Sequence, residues 1–414
     1  MFMRISFIWV FFLYLIFSGS IVSAQFKFVE ETDDQKPESG VQKTSSDSTF
    51  GPKRGAKQEQ TWVAGVVIEP GVHLENVKIS MPVPADWYEQ EVVAFRKVKW
   101  IDSLSGSSGI SGGAGFNTRV VNNGAKELTI RIGNLRLNKR LEILFEFDTV
   151  NYELSPPDDT DIYFIPKKIP DTLTQYIKAS PKIEIDDSAV SSKLRKILRE
   201  ITNDRQTDWE KVEAIYRYVQ RTVKYSEVGR SSPAKGTKAI LAMPPEKCEG
   251  DCKDLCGLFV ALCRMKKIPA RLVRLPEHCY AEFYLELRND NKPQTTKNTN
   301  NENQPNSTPE TDKNKTANNT TTTPKPTTPK PIPPKNKSAI KKPQGFWFPC
   351  QVAGTYSFGG IPERQVILQK GDSYPDPEAQ PYGKKQFLTE VFEGSLIQGS
   401  PNPNFKFIHN VKTK

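Results

Sequence analysis

From Trp62 onward, apolar and polar positions alternate. Val77, Ile79 and Met81 share one parity, as do Leu128, Ile130 and Ile132, and then Leu141, Ile143, Phe145 and Phe147. Thr129, Arg131, Glu142 and Glu146 take the opposite parity. A period of two marks strands with one buried face, because successive side chains point to opposite sides of a sheet. Turn-rich segments separate these runs, including the Gly and Ser cluster from Ser103 to Gly115, so residues 61–155 are expected to form a β-sandwich-like domain.

After Pro156-Pro157 the period becomes helical. Thr207-Asp208-Trp209-Glu210 forms a capping box, in which hydroxyl and carboxylate each satisfy a backbone N–H, and Val212, Ile215, Tyr216, Val219 and Val223 follow at helical spacing. A second helix is predicted from Cys252, with Leu255, Leu258, Phe259 and Leu262 on one stripe. It ends at Lys266-Lys267, where cations suit the negative helix terminus, and Ile268-Pro269 stops it. Arg271 to Leu275 reads as a short strand. The next run alternates, with Cys279, Ala281, Phe283, Leu285 and Leu287 on one face, and His278 stands where it begins.

From 289 to 344 the chain is dominated by Asn, Thr, Lys and Pro, a composition that cannot bury enough apolar surface to offset its ordering entropy. A disordered insertion is expected there. Strand character resumes at Gly345–Gln351 and again at Val366-Ile367-Leu368, so the insertion reads as an expanded hairpin loop whose flanking strands are neighbours.

Composition changes the picture mainly at the amino terminus. A chain of 414 residues with 36% apolar content can form two folded units, and the uneven spread of its 32 prolines and 26% charged residues suggests disordered segments that separate or interrupt the folded parts. Met-Phe-Met-Arg, the apolar run Ile5 to Phe17 and the small residues up to Ala24 have the three regions of a secretory signal, residues 1–24. The run is shorter than the ~20 residues of a spanning helix. Cleavage after Ala24 leaves an exported protein, periplasmic, envelope-bound or secreted, with no transmembrane span and a disordered lead-in at 25–60. The net charge of +10 admits an anionic cell-envelope polymer as partner. Many of its lysines lie in low-complexity tracts and no basic run is interleaved with stacking aromatics, so nucleic acid is not expected.

Export into an oxidising compartment permits disulfides, and the six cysteines, all between Cys248 and Cys350, belong to one domain. Cys256 and Cys263 fall on the buried side of the second helix; Cys248, Cys279 and Cys350 are core residues or disulfide partners. Cys248, Cys252 and Cys256 are spaced by four with no second pair, unlike a zinc knuckle, and neither metal nor cofactor is expected. Cys252 itself opens a helix, where free amides and a partial positive charge favour a thiolate. Gly250 leaves room for close approach of backbone and substrate. Of the three histidines, His73 falls in the β-rich part and His409 near the carboxyl terminus, which leaves His278 as the base.

Gly250-Asp251-Cys252-Lys253-Asp254 with Leu258-Phe259-Val260-Ala261-Leu262-Cys263-Arg264 resembles the nucleophile helix of the transglutaminase-like superfamily. Ile268-Pro269-Ala270-Arg271 is similar to its helix-to-strand junction, His278 to Leu285 to its histidine strand, and the helix from Trp209 to Tyr225 to the one that precedes the core. The resemblance implies an α+β fold: the N-terminal β-sandwich-like domain, then a papain-like transglutaminase core in two parts, 156–288 and 345–414, the latter including a C-terminal tail. It also implies acyl transfer on peptide or amide bonds of a protein or peptide substrate through a thioester that water or an amine resolves; the resemblance alone does not distinguish hydrolysis from cross-linking, and hydrolysis is the expectation by analogy with bacterial-type members.

That family's third position is usually the aspartate of Trp-x-Pro-x-Asp. Here Trp347-Phe348-Pro349-Cys350 leads to Gln351. A glutamine carbonyl accepts a hydrogen bond from the far imidazole nitrogen but stabilises an imidazolium less than a carboxylate does. Cys252, His278 and Gln351 are therefore the expected catalytic set. The alternative that this departure keeps open is a non-catalytic binding or structural module of the cell envelope.

Overall fold

The computed structural model describes residues 50–100, 109–227, 233–288, 344–375 and 383–412. The expected signal segment, the lead-in up to residue 49 and the insertion from 289 to 343 lie outside the described residues.

The alternating runs become long antiparallel strands: β1 (Lys53–Ile68), β2 (His73–Val83), β3 (Gln90–Lys99), β4 (Gly109–Val120), β5 (Lys126–Arg136) and β6 (Leu141–Ser155). Trp62, Ala64, Val66 and Ile68 of β1 are buried with Val77, Ile79 and Met81 of β2, Leu128, Ile130 and Ile132 of β5, and Ile143, Phe145 and Phe147 of β6 in one hydrophobic cluster. This is the apolar parity read from the sequence.

The remaining elements are β7 (Tyr163–Phe164), α1 (Ser188–Thr202), α2 (Asp208–Thr222), β8 (Lys224–Tyr225), α3 (Thr237–Ala242), β9 (Glu249–Gly250), α4 (Cys252–Met265), β10 (Ala270–Arg274), β11 (Cys279–Leu287), β12 (Gly345–Gln351), β13 (Ser357–Phe358), β14 (Gln369–Lys370), β15 (Tyr374–Pro375), β16 (Lys384–Lys385), β17 (Val391–Leu396) and β18 (Phe405–Val411). One four-stranded sheet runs β18-β1-β6-β3, another β17-β2-β5-β4, and the core sheet runs β13-β12-β11-β10-β14 with β7 on β11.

Two boundaries differ from the expectation. Lys53 to Gln60, read as part of a disordered lead-in, are the first half of β1 and pair with β6 from Ser155 to Thr149. Their polar side chains find partners across the sheet: the Arg54 guanidinium lies 4.3 Å from the Tyr152 ring centroid and 2.7 Å from Glu91. The carboxyl-terminal segment, expected to stay with the core, returns to the first two sheets, where β17 pairs with β2 and β18 with β1. These pairings close open sheet edges through backbone hydrogen bonds, which short strands make with whichever edge is presented, and no local pattern names that edge.

The helices follow their caps. Thr207 and Glu210 close the capping box of α2 as its sequence requires, and Asp187 caps α1 by accepting from the Ala189 and Val190 amides. Every residue of α4 from Asp254 to Arg264 is buried. A helix apolar on all sides belongs in a core, and Leu255, Leu258, Phe259 and Leu262 pack with Leu272 of β10 and Ala281 and Phe283 of β11. β11 and β12 pair antiparallel, from Ala281 opposite Cys350 to Glu286 opposite Gly345, so the strands flanking the insertion are neighbours. Among the described residues no helix is long and apolar enough to cross a membrane.

A buried ionic network joins the first sheets to the core. Lys370 on β14 lies 2.6 Å from Glu89, just before β3, and 2.5 Å from Glu282 on β11. Arg271 on β10 lies 2.6 Å from the other oxygen of Glu282, and the Tyr280 hydroxyl donates to Glu89 at 2.8 Å. Burial works to raise the Glu282 carboxyl, but Arg271 and then Lys370 outweigh it and hold the group below the usual carboxylate range. Removing the central cation leaves two carboxylates buried without it. Lys370→Ala is therefore expected to destabilise the protein by about 3–5 kcal/mol, measured by urea denaturation. A loss under about 1 kcal/mol, the scale of an exposed pair, would show that the network does not carry this junction.

Candidate active site

Helix α4 begins in a second capping box. Asp251 accepts from the amides of Lys253 at 2.9 Å and Asp254 at 3.2 Å, and Asp254 accepts from the Asp251 amide at 3.3 Å. Cys252 is thereby fixed as the first residue of the helix, and the cap takes up the amides that follow it in the first turn. Gly250 has a local reason too. A Cβ there would stand 2.7 Å from the Cβ of Asp254, so the residue before the cap must be glycine for the box to close. The room that the sequence reading assigned to substrate is taken up by this side chain.

Strand β11 brings its own start to the same place. The Cys256 thiol donates to the Cys279 carbonyl at 3.3 Å, and the Cys279 backbone hydrogen-bonds Cys252. The residue after His278 thus touches the first turn of α4. His278 itself closes a tight turn, its carbonyl accepting from the Leu275 amide at 3.0 Å. Its Nε2 lies 2.8 Å from Oε1 of Gln351, the last residue of β12.

Gln351 is buried and held at both ends. Its backbone carbonyl accepts from the Tyr216 hydroxyl of α2 at 2.9 Å, and its side-chain Nε2 donates to Glu363 Oε1 at 3.1 Å. Tyr216 is pinned in turn, accepting from Gln220 Nε2 at 2.9 Å and from the Ser357 amide at 3.0 Å. The three residues expected from the sequence therefore fall at one end of the β11–β12 pair and the start of α4. His73 and His409 lie on β2 and β18, in the first sheets.

The electrostatics of Cys252 run against a simple reading of its helix position. Cys252 is only 2% exposed, and burial pushes its thiol up to about 12; Cys279 and Asp251 add to the rise, while Lys253 and the Cys279 backbone oppose it. Desolvation outweighs the helix terminus. Burial thus holds the thiol toward its protonated form. All six cysteines are free thiols, and burial also raises Cys256, Cys263 and Cys350.

The sequence reading missed Tyr216 as an anchor, Asp254 as the reciprocal cap and Glu363 altogether. The first two carried signals: a helix-face tyrosine, and an acidic residue three positions after an acidic cap. Glu363 lies in irregular chain between β13 and β14, where no periodicity marks it. Arg264 also proved central to packing: it is 1% exposed and lies 2.7 Å from Asp372.

Residues 195–294 match the family model of the Transglutaminase-like superfamily. They form a transglutaminase-like core. Among solved structures, one named as a candidate cysteine protease from Cytophaga hutchinsonii aligns with a TM-score of 0.46 at 12% identity, over 86% of this chain and 92% of its own. A candidate protease from Parabacteroides distasonis aligns with a TM-score of 0.21 at 9% identity, over 55% of this chain and 41% of its own. No curated protein matches the chain.

The buried thiols of the transglutaminase-like core give a signed pH dependence. They keep their protons in the folded state, while an unfolded chain releases them near the ordinary thiol value of about 8.5. Their contribution is complete below that value and is lost as pH rises toward the folded values, about 12 for Cys252. Cys263→Ala removes one such group away from Cys252. Denaturation under reducing conditions should show the variant losing about 1 kcal/mol less than wild type between about pH 7.5 and about 9.5. Equal losses would show that burial does not hold the Cys263 proton.

Proposed function

We propose that Cys252 and His278 form a thiol–imidazole pair, with Gln351 orienting the ring, in an exported transglutaminase-like cysteine enzyme that hydrolyses peptide or amide bonds. The observation that carries this reading is the 2.8 Å contact between His278 Nε2 and Gln351 Oε1, with Cys279 seated against Cys252. A ring held by its far nitrogen presents the near one for proton transfer.

In this reading His278 takes the Cys252 proton as sulfur forms its bond to the substrate carbonyl carbon. The C–N bond breaks, the imidazolium returns the proton to the leaving amine, and a thioester remains on Cys252. Water, deprotonated by His278, then attacks the thioester; the C–S bond breaks, the carboxylic product leaves and the thiol is restored. The substrate is a protein or peptide, and an anionic envelope polymer is a second partner for the basic chain. The two sheets that share a hydrophobic cluster are read as a β-sandwich that supports the core. The location is the periplasm, the cell envelope or the medium.

A second reading is favoured by the burial of Cys252: a non-catalytic module that keeps the fold and binds. Alkylation by iodoacetamide, followed by mass spectrometry, separates the two. The enzyme reading expects His278→Ala to slow Cys252 labelling near neutral pH by about 10²-fold, the usual contribution of a general base. Slow labelling of wild type, unchanged in His278→Ala, would leave the binding module as the better reading.

A further inference from the structure

We propose that Glu363 is a positioning residue for His278, acting through Gln351: its carboxylate decides which end of the amide faces the imidazole and places a negative charge behind it. The inference rests on the reading of Cys252 and His278 as a reacting pair.

An amide by itself does not define a histidine tautomer, because either of its ends can meet a ring nitrogen. Glu363 removes that ambiguity. A carboxylate only accepts, so the NH₂ end of Gln351 turns to Glu363 Oε1 at 3.1 Å, and the carbonyl end faces His278 Nε2 at 2.8 Å. That carbonyl also only accepts, so Nε2 carries the hydrogen and Nδ1 keeps its lone pair. Nδ1 is then the nitrogen able to receive a thiol proton.

The surroundings of Glu363 support a role beyond packing. It makes no ion pair among the described residues, and its Oε2 is buried without a hydrogen-bond partner. Half of a carboxylate left in that condition weakens a fold, so stability alone does not explain it. Its place is set by neighbours in the first sheets: the Arg364 carbonyl accepts from Gln60 Nε2 at 3.1 Å, and the amide of Ile361 donates to Leu154 at 2.7 Å. Among the described residues, Glu277 and Cys279 flank His278 in the chain, Glu363 meets Gln351 behind it, and Cys252, with Asp251 and Lys253 beside it, hydrogen-bonds the Cys279 backbone. Glu363 reaches the imidazole through a hydrogen-bonded chain by way of Gln351.

Histidine nitrogen NMR on the full chain, labelled with ¹⁵N-histidine, tests this directly, with His73 and His409 reporting that each variant is folded. Wild type should show His278 as the Nε2–H tautomer. Glu363→Gln offers Gln351 either end of an amide, so it should give a mixture of tautomers and lower the His278 titration midpoint by about one pH unit. Adding Gln351→Glu exchanges amide and carboxylate while keeping both hydrogen bonds, and should restore a single tautomer and the higher midpoint. An unchanged spectrum in Glu363→Gln overturns the proposal, as does a double variant that behaves like the single one. This signal does not pass through Cys252, so failure of the reacting pair appears separately, in the alkylation of His278→Ala.

Discussion

Lys370 is enclosed between Glu89, in the chain leading to β3, and Glu282, on β11, and each of the three is at most 4% exposed. A charge removed from water is tolerated only while its partners stay in place, so the contact fixes three chain segments at once. It sets β14 against β10 in the register Val273 opposite Lys370 and Arg274 opposite Gln369. Arg271 completes the arrangement from the next strand, its guanidinium 4.0 Å from the Trp347 ring centroid. Trp347 lies on β12, the strand that ends in Gln351, so the network reaches within four residues of the candidate site.

The chain entering Lys370 transmits the same constraint. Ile361 pairs with Leu154 at the end of β6, and the Ile367 amide donates to Gln90 Oε1 at 2.6 Å. Val366 and Leu368 bury themselves in the hydrophobic cluster of the first two sheets. The segment from 361 to 370 therefore belongs to the packing of the first sheets while carrying Glu363 to Gln351. This gives those sheets a structural part in the site: they hold the segment from which Gln351 is oriented.

What the sequence disclosed and what it withheld separate along one physical line. Signals confined to one element were legible, such as the Thr207 and Glu210 box, the start of α4 at Cys252 and the alternation on both sides of the insertion. Contacts between distant elements were not. Lys53 to Gln60 look like a solvated tract until β6 supplies their backbone partners, and β17 and β18 carry no mark of the edges they close. The Cys252 thiol shows the same limit. Its helix position argues for a lowered pKa, but the opposing desolvation comes from β11 and the packed core, and only the assembled structure shows which effect is larger.

The glutamine at 351 takes on a different meaning beside Glu363. With a carboxylate at 351, two like charges would stand about one hydrogen bond apart, and one of them would be driven to hold a proton. The amide avoids that conflict, and both of its ends are used, one by the imidazole and one by Glu363. Negative charge is thus set back from the ring by one side chain rather than removed. At the greater distance it stabilises an imidazolium less than direct contact would. A weaker counter-charge accords with a Cys252 thiol that burial holds toward its protonated form.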